Sequence, residues 1–421
     1  MKDRNWNTDL NQKGLRHAVL AVGLIIIGTL ASCGHDTANS LLTMSTPAGA
    51  GSAEPHLDRA DDGTVVLSWL EPAGDGVALR YATLAGATWD APRPVAGGDN
   101  WFVNWADFPS VSPIHDDLWA AHWLVKRPGG TYAYDVAVSL SHNAGRDWRE
   151  PITPHTDGTA TEHGFVTLFP WQDDVGVLWL DGRHMTESTS TEHDGHGGMT
   201  LRSATLSNTG QINNGRQVDD LVCDCCQTDV AIAMDGPVAV YRNRTQEEIR
   251  DIHVARTVNG QWQPGFAVAT DGWEIDGCPV NGPAVAATGK QVAVAWFTAA
   301  NDQPRVRAAY SRDGGGTFAP AVDIDQDRPA GRVDIEWLDA DTFAVSWVAR
   351  GSEGGGALSV RAIGTEGASS PTQVIARTTT SRPSGFPQMV RHGDDLVFAW
   401  TDTQGEKSHV RTARLPISAL L

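Results

Sequence analysis

Val292-Ala293-Val294-Ala295-Trp296, a short apolar run closed by an aromatic ring, decides the fold because it recurs. Counterparts stand at Val65-Val66-Leu67-Ser68-Trp69, Ala120 to Trp123, Gly176 to Trp179, Val238 to Tyr241, Phe343 to Trp347 and Leu396 to Trp400. Successive aromatics are 54, 56, 62, 55, 51 and 53 residues apart. A second strand pattern follows each, and in six of the seven units it carries an arginine: Arg80, Arg202, Arg250, Arg307, Arg361 and Arg411, with Asp135 in the remaining unit. Small and apolar residues alternate, turn residues separate the runs, and no long helical period intervenes, so the units are β-structure. A unit of that length holds four short strands and cannot bury both faces of its sheet alone; radial stacking around a channel solves this. The expected fold is all-β, a β-propeller of four-stranded blades. Seven blades are favoured, the last completed by an N-terminal strand near Leu41 to Met44; six blades with an irregular end unit is the alternative.

Working outward, Lys2, Arg4, Lys13 and Arg16 precede an uncharged apolar stretch from Ala18 to Leu30. This is the layout of an export signal, and the stretch is shorter than the roughly 20 residues that span a bilayer. It ends in Leu30-Ala31-Ser32-Cys33, which resembles a lipobox. The expectation is a signal peptide over 1–32, lipid on Cys33, a tether over 33–54, a propeller over 55–415 and a tail over 416–421. Gly34 after the cysteine resembles the sorting signal of outer-membrane lipoproteins, which implies a lipid anchor in the cell envelope, facing the periplasm or the exterior. The net charge of −19 excludes nucleic acid as a partner and disfavours direct adhesion to anionic lipid.

Ser311-Arg312-Asp313-Gly314-Gly315-Gly316-Thr317-Phe318 has the form Ser-x-Asp-x-Gly-x-Thr-aromatic, and Ser141 to Trp148 is a looser copy. Both resemble the Asp-box (BNR repeat) of the sialidase-like propellers. Cys223 to Thr228, Tyr241 to Arg244, Ile249 to Ile252 and Trp273 to Pro283 are similar to a group of exported bacterial members of unassigned activity. In sialidases proper, three arginines hold the substrate carboxylate, a Tyr–Glu pair supplies the nucleophile and an Asp near the first blade is the acid/base. This sequence lacks a Phe-Arg-Ile-Pro-like segment before the first unit.

The repeats provide an internal control, because a residue present in most units serves the blade. By that test the repeated arginines are structural, and Tyr241, standing where other units have Trp, is either a blade-core aromatic or a nucleophile. Polar residues found in single units are the site candidates: Asp107 and Glu162 as acid/base, Arg183, Arg244 and Arg332 as a carboxylate clamp, His163 as a further ligand, with Asp181, His184 and Asp334 beside them. Salt bridges and turn bonds are the competing reading for each. The leading function is binding or hydrolysis of a carboxylate-bearing glycan, of exo-sialidase type if enzymatic; a non-catalytic binding or metal-handling propeller is the alternative.

That alternative rests on Cys223, Cys225, Cys226 and Cys278, the cysteines remaining beside Cys33. An oxidising compartment favours disulfides, with Cys225 or Cys226 bridged to Cys278 across neighbouring blades. The same four thiols, with His163 nearby, could hold copper or zinc. The span from His184 to Met199, rich in His, Met and acidic residues, is a second copper candidate or a polar insertion that binds nothing. No cofactor is required by either function.

Overall fold

The computed structural model describes residues 41–185, 198–352, 355–404 and 407–421. The expected signal, Cys33 and residues 186–197 of the insertion lie outside these residues. The described chain forms seven antiparallel sheets, built from 53–98, 110–141, 163–222, 229–267, 284–325, 331–379 and 388–416. The protein is a seven-bladed β-propeller. The seventh sheet takes its outer strand from Leu42–Met44, with Leu42 opposite Arg414 and Met44 opposite Thr412. In the second blade the fourth strand is reduced to a bridge between Val138 and Ile152.

Each sheet buries its faces against its neighbours, giving seven hydrophobic clusters for seven blade interfaces. The cluster holding Trp69, Val390 and Val397 joins the last blade to the first and closes the ring. The recurring aromatics occupy the second strand of every sheet. In four blades the aromatic lies directly opposite the repeated arginine: Trp69 and Arg80, Trp179 and Arg202, Trp296 and Arg307, Trp400 and Arg411. A carboxylate ties several such pairs together. Glu71 accepts the Trp69 indole N–H (2.8 Å) and pairs with Arg80; Asp271 accepts the Trp296 N–H (2.7 Å) and pairs with Arg307.

In the Ser311 to Phe318 turn, Asp313 Oδ1 accepts the N–H groups of Gly316 and Thr317 (2.9 Å each), and Gly314 and Gly315 have φ of 73° and 78°. Hydrogen bonds from Ser311, Thr317 and these amides overcome burial and hold the Asp313 carboxyl down at about 2. The turn from Ser141 repeats the device with Asn143. Within 416–421, Ile417 and Leu420 are buried between the last two blades and Leu421 is exposed.

First strands line the channel, and their polar side chains clasp the next blade. Asp229 accepts the Val285 N–H (2.8 Å), Asp334 the Met389 N–H (2.6 Å) and Glu336 the Arg391 N–H (3.1 Å). The inner edge of a sheet has free amides, and these carboxyls satisfy them. A cavity of about 510 Å³ lies between them.

Candidate functional site at the channel mouth

Antiparallel order brings the starts of all first strands to one end of the channel, together with the connections that precede them. Hydrogen bonds link these connections around the mouth. Gln227 donates to the Ala106 carbonyl (2.6 Å) and accepts from Gly282 N–H (3.1 Å), Thr228 donates to the Phe165 carbonyl (2.9 Å), and Asn281 accepts from Arg332 N–H (2.8 Å).

Asp107 and Glu162, singled out separately in the sequence, meet through a residue it did not reveal. The Tyr134 hydroxyl lies 2.9 Å from Asp107 Oδ2 and 2.6 Å from Glu162 Oε1. A phenol has one proton, so it donates to one carboxyl and accepts from the other, which must then be protonated. Burial pushes Asp107 up to about 7 and Glu162 up to about 8, which fits one shared proton. Burial, then the two carboxylates, raise Tyr134 well above its ordinary value. The Tyr134 ring is fully buried and stacks on Phe102 at 4.1 Å, which fixes its hydroxyl between the two carboxyls. Tyr134 precedes Asp135, the residue that breaks the arginine repeat; that break was the available signal.

The proposed clamp does not assemble, because each arginine has its own acceptors. Arg183 forks onto Asp181 (2.6 Å to each oxygen) and reaches Asp157 (3.2 Å). Arg244 pairs with Glu248 (2.5 Å) and Asp224 (3.4 Å). Arg332 is buried over Trp105 and gives its donors to Ser384 and the carbonyls of Thr380, Ser381 and Gly385, and burial lowers it to about 10. Asp181 accepts the Trp179 N–H (2.8 Å), as Glu71 does for Trp69, so it belongs to the blade device and is not specific to one unit. Asp334 is a channel clasp. Tyr241 is fully buried between blades three and four and donates to Asp219 (2.6 Å), which makes it a blade-core aromatic.

His163 is likewise separate from the cysteines. Its ring stacks on His155 at 3.9 Å, Nδ1–H donates to the Thr161 carbonyl (3.1 Å), and Nε2 faces Asp157 Oδ2 at 3.2 Å. Asp157, His163 and Asp181 are close enough to share an ion, but the Arg183 fork already places a cation on both carboxylates. Of the second copper candidate, His184 is exposed and Met199 is fully buried in the core.

The cysteines do converge. Cys223, Cys225 and Cys226 lie on the connection from blade three to blade four, with Cys223 Sγ 3.3 Å from Cys226 and 3.9 Å from Cys225. A disulfide needs about 2.05 Å, and all four described cysteines are unbridged, including the expected staple to Cys278. Four thiolates about 2.3 Å from one tetrahedral ion stand roughly 3.8 Å apart, close to the spacing found. Cys278, on the next connection, is exposed and stands outside this group of three. Arg250 Nη1 donates to Cys223 Sγ (3.4 Å) while its other nitrogens hold Glu248. Hydrogen bonds from Cys225 and Cys226, helped by the guanidiniums of Arg242 and Arg250, hold the Cys223 thiol well below its ordinary value. Arg242 is fixed by the carbonyls of Arg250, Asn281 and Phe297 and lies 4.9 Å over Trp273. The cluster adjoins the carboxyl pair, since Asp224 and Cys278 both raise Glu162.

No family model matches the sequence, and no curated protein matches it. Solved structures do match the fold. Polysaccharide lyase Uly1 aligns with a TM-score of 0.50 at 10% identity, over 89% of this chain and 91% of that one. A Trypanosoma rangeli sialidase in complex with sialic acid gives 0.47 at 11%, over 86% and 60%. The Hadza microbial sialidase Hz136 gives 0.43 at 13%, over 70% and 63%. The chain therefore spans less than two thirds of either sialidase. Its structural neighbours are sialidases and other glycan-active propellers at low identity, a likeness of fold.

Proposed function

We propose that the protein is a cell-envelope propeller that binds one soft metal ion, Cu(I) or Zn(II), on thiolates at the channel mouth. The observation that supports this reading is the close approach of Cys223, Cys225 and Cys226 beneath two guanidiniums. Soft thiolate ligands select these ions, and the arginines balance the charge that three or four thiolates create. Titration of reduced protein with Cu(I) or Zn(II), under a competing chelator, is expected to give one tightly held ion per chain. Absence of binding by either ion overturns the reading.

A second reading, recognition or hydrolysis of a carboxylate-bearing glycan, is favoured by the Asp107–Tyr134–Glu162 relay and by the Asp-box form of the 311–318 turn. Fold alone does not confer that reaction. Turnover of a 4-methylumbelliferyl sialoside panel by metal-free protein is the outcome that would put this reading first.

The anchor is part of the proposal: a signal over 1–32, lipid on Cys33, and a tether ending at the strand Leu42–Met44. Cys33→Ser is expected to move the exported protein from the detergent phase to the aqueous phase. Identical partition of both forms would remove the anchor.

A further inference from the structure

Cys223-Asp224-Cys225-Cys226 is a turn, with Asp224 and Cys225 at its centre and Cys223 and Cys226 at its two ends. The end Cα atoms of a β-turn lie within about 7 Å of each other, and a disulfide spans about 4.4 to 6.8 Å between Cα atoms. The sulfurs at these ends are 3.3 Å apart, nearer than the 3.9 Å from Cys223 to Cys225. Both flanks of the turn are anchored. Cys223 N–H donates to the Arg242 carbonyl (2.9 Å), and beyond Cys226 the side chains of Gln227 and Thr228 donate to the Ala106 and Phe165 carbonyls. The three thiols differ in access: Cys223 and Cys226 are each 1% exposed, and Cys225 is half-buried. A cysteine of another protein cannot reach the buried pair, whereas a water-sized oxidant can meet Cys225.

Resting on the metal reading above, we infer that Cys223 and Cys226 are a dithiol–disulfide couple that regulates the site. A hydroperoxide oxidises Cys225, the oxidation passes inward, and closure of the Cys223–Cys226 disulfide empties the metal site. Each step balances. Cys225 Sγ attacks a peroxide oxygen; an S–O bond forms, the O–O bond breaks, and the leaving hydroxide takes the thiol proton as water. Cys223 Sγ, which accepts the Arg250 N–H at 3.4 Å, then attacks Cys225 Sγ; an S–S bond forms, the S–O bond breaks, and the Cys223 proton leaves in a second water. Cys226 Sγ attacks Cys223 Sγ in turn; their bond forms as the Cys223–Cys225 bond breaks, and the Cys226 proton passes to Cys225. One peroxide is reduced to water and one pair of thiols is oxidised. The ion loses two of its three sulfurs, since the thiolate and not the disulfide is the metal ligand.

The test treats reduced, metal-free, full-length protein with equimolar hydrogen peroxide, then alkylates it and digests it with trypsin. No Lys or Arg stands between Gln217 and Tyr241, so one peptide, 217–242, carries all three thiols. It is expected to alkylate at Cys225 alone, and its fragments to place a bridge between Cys223 and Cys226. The oxidised protein should hold Zn(II) roughly a hundredfold more weakly or worse, and dithiothreitol should restore both thiols and binding. Cys225→Ser is expected to close the bridge roughly tenfold more slowly, with its melting temperature as the control for folding. A final bridge to Cys225, or sulfinic acid in place of a bridge, overturns the couple; closure in Cys225→Ser at the wild-type rate overturns the inward relay. Because the mapping needs no metal, the two readings fail separately. Reduced protein that binds no ion removes the metal reading, whereas reduced protein that binds an ion and never bridges overturns the couple.

Discussion

With Cys223 replaced by serine, the protein is expected to hold Cu(I) or Zn(II) roughly a thousandfold more weakly, about 4 kcal/mol. Structural zinc sites bind with about 10 to 16 kcal/mol shared over four ligands, so one ligand is worth about 2.5 to 4. Cys223 contacts both neighbouring thiols and receives the Arg250 N–H, which makes it the hub of the cluster. Serine matches its size but offers a hard, protonated oxygen, so the loss should appear in affinity and not in folding. Competition against a chromophoric chelator measures the affinity, and circular dichroism and melting of the apo form provide the control. An affinity within threefold of wild type would show that the thiols are ordinary core residues.

Stability is expected to fall by roughly 3 kcal/mol between about pH 6.5 and pH 8.5. The cause lies in the channel. Burial raises Glu54 to about 8, Asp58 and Asp107 to about 7, and Asp229 to about 6. A carboxyl raised in the folded state binds a proton there that the unfolded chain has released. Its stabilising contribution is full below the unfolded value and is lost as pH rises through the folded one. The buried His56 and His122 are lowered to about 4 and about 3, so they act in the opposite sense, but only below about pH 6.5. In the stated window the Cys223 and Cys278 thiols, held below their ordinary values, act in the opposite sense, so the fall is to be read on protein in which both are replaced by serine. Urea unfolding at three pH values measures the slope, and Asp107→Asn should flatten it. A slope that rises with pH would contradict the buried, protonated state.

The blade repeat was legible because it rests on spacing, which needs no knowledge of contacts: Trp69 and its successors mark every second strand, and Leu41 to Met44 is the closing strand. The site was legible only in part. Asp107 and Glu162 stand in single units and meet through Tyr134, and Cys223, Cys225 and Cys226 gather on one connection. Arg183, Arg244 and Arg332 also stand in single units, yet Asp181, Glu248 and the 380–385 carbonyls neutralise or satisfy them. Sequence shows a charge but not its nearest partner. Tyr134 was marked only indirectly, by the break of the arginine repeat at Asp135, and nothing in the spacing of His155 distinguishes it from blade residues. Asp181 misled because its counterpart Glu71 does the same work with a different side chain, which breaks the pattern in letters but not in hydrogen bonds.

Closure of the last blade by Leu42–Met44 has a kinetic side. Three ladder pairs join residues separated by nearly the whole chain, and the first blade finds its second neighbour only when the seventh is present. Contacts of such sequence separation form late, because the loop they close is long. During synthesis the ring therefore stays open until the segment around Ala413 has emerged, and the N-terminal strand waits as an unpaired edge. The clasp that stabilises the finished propeller thus also sets the time at which folding becomes possible.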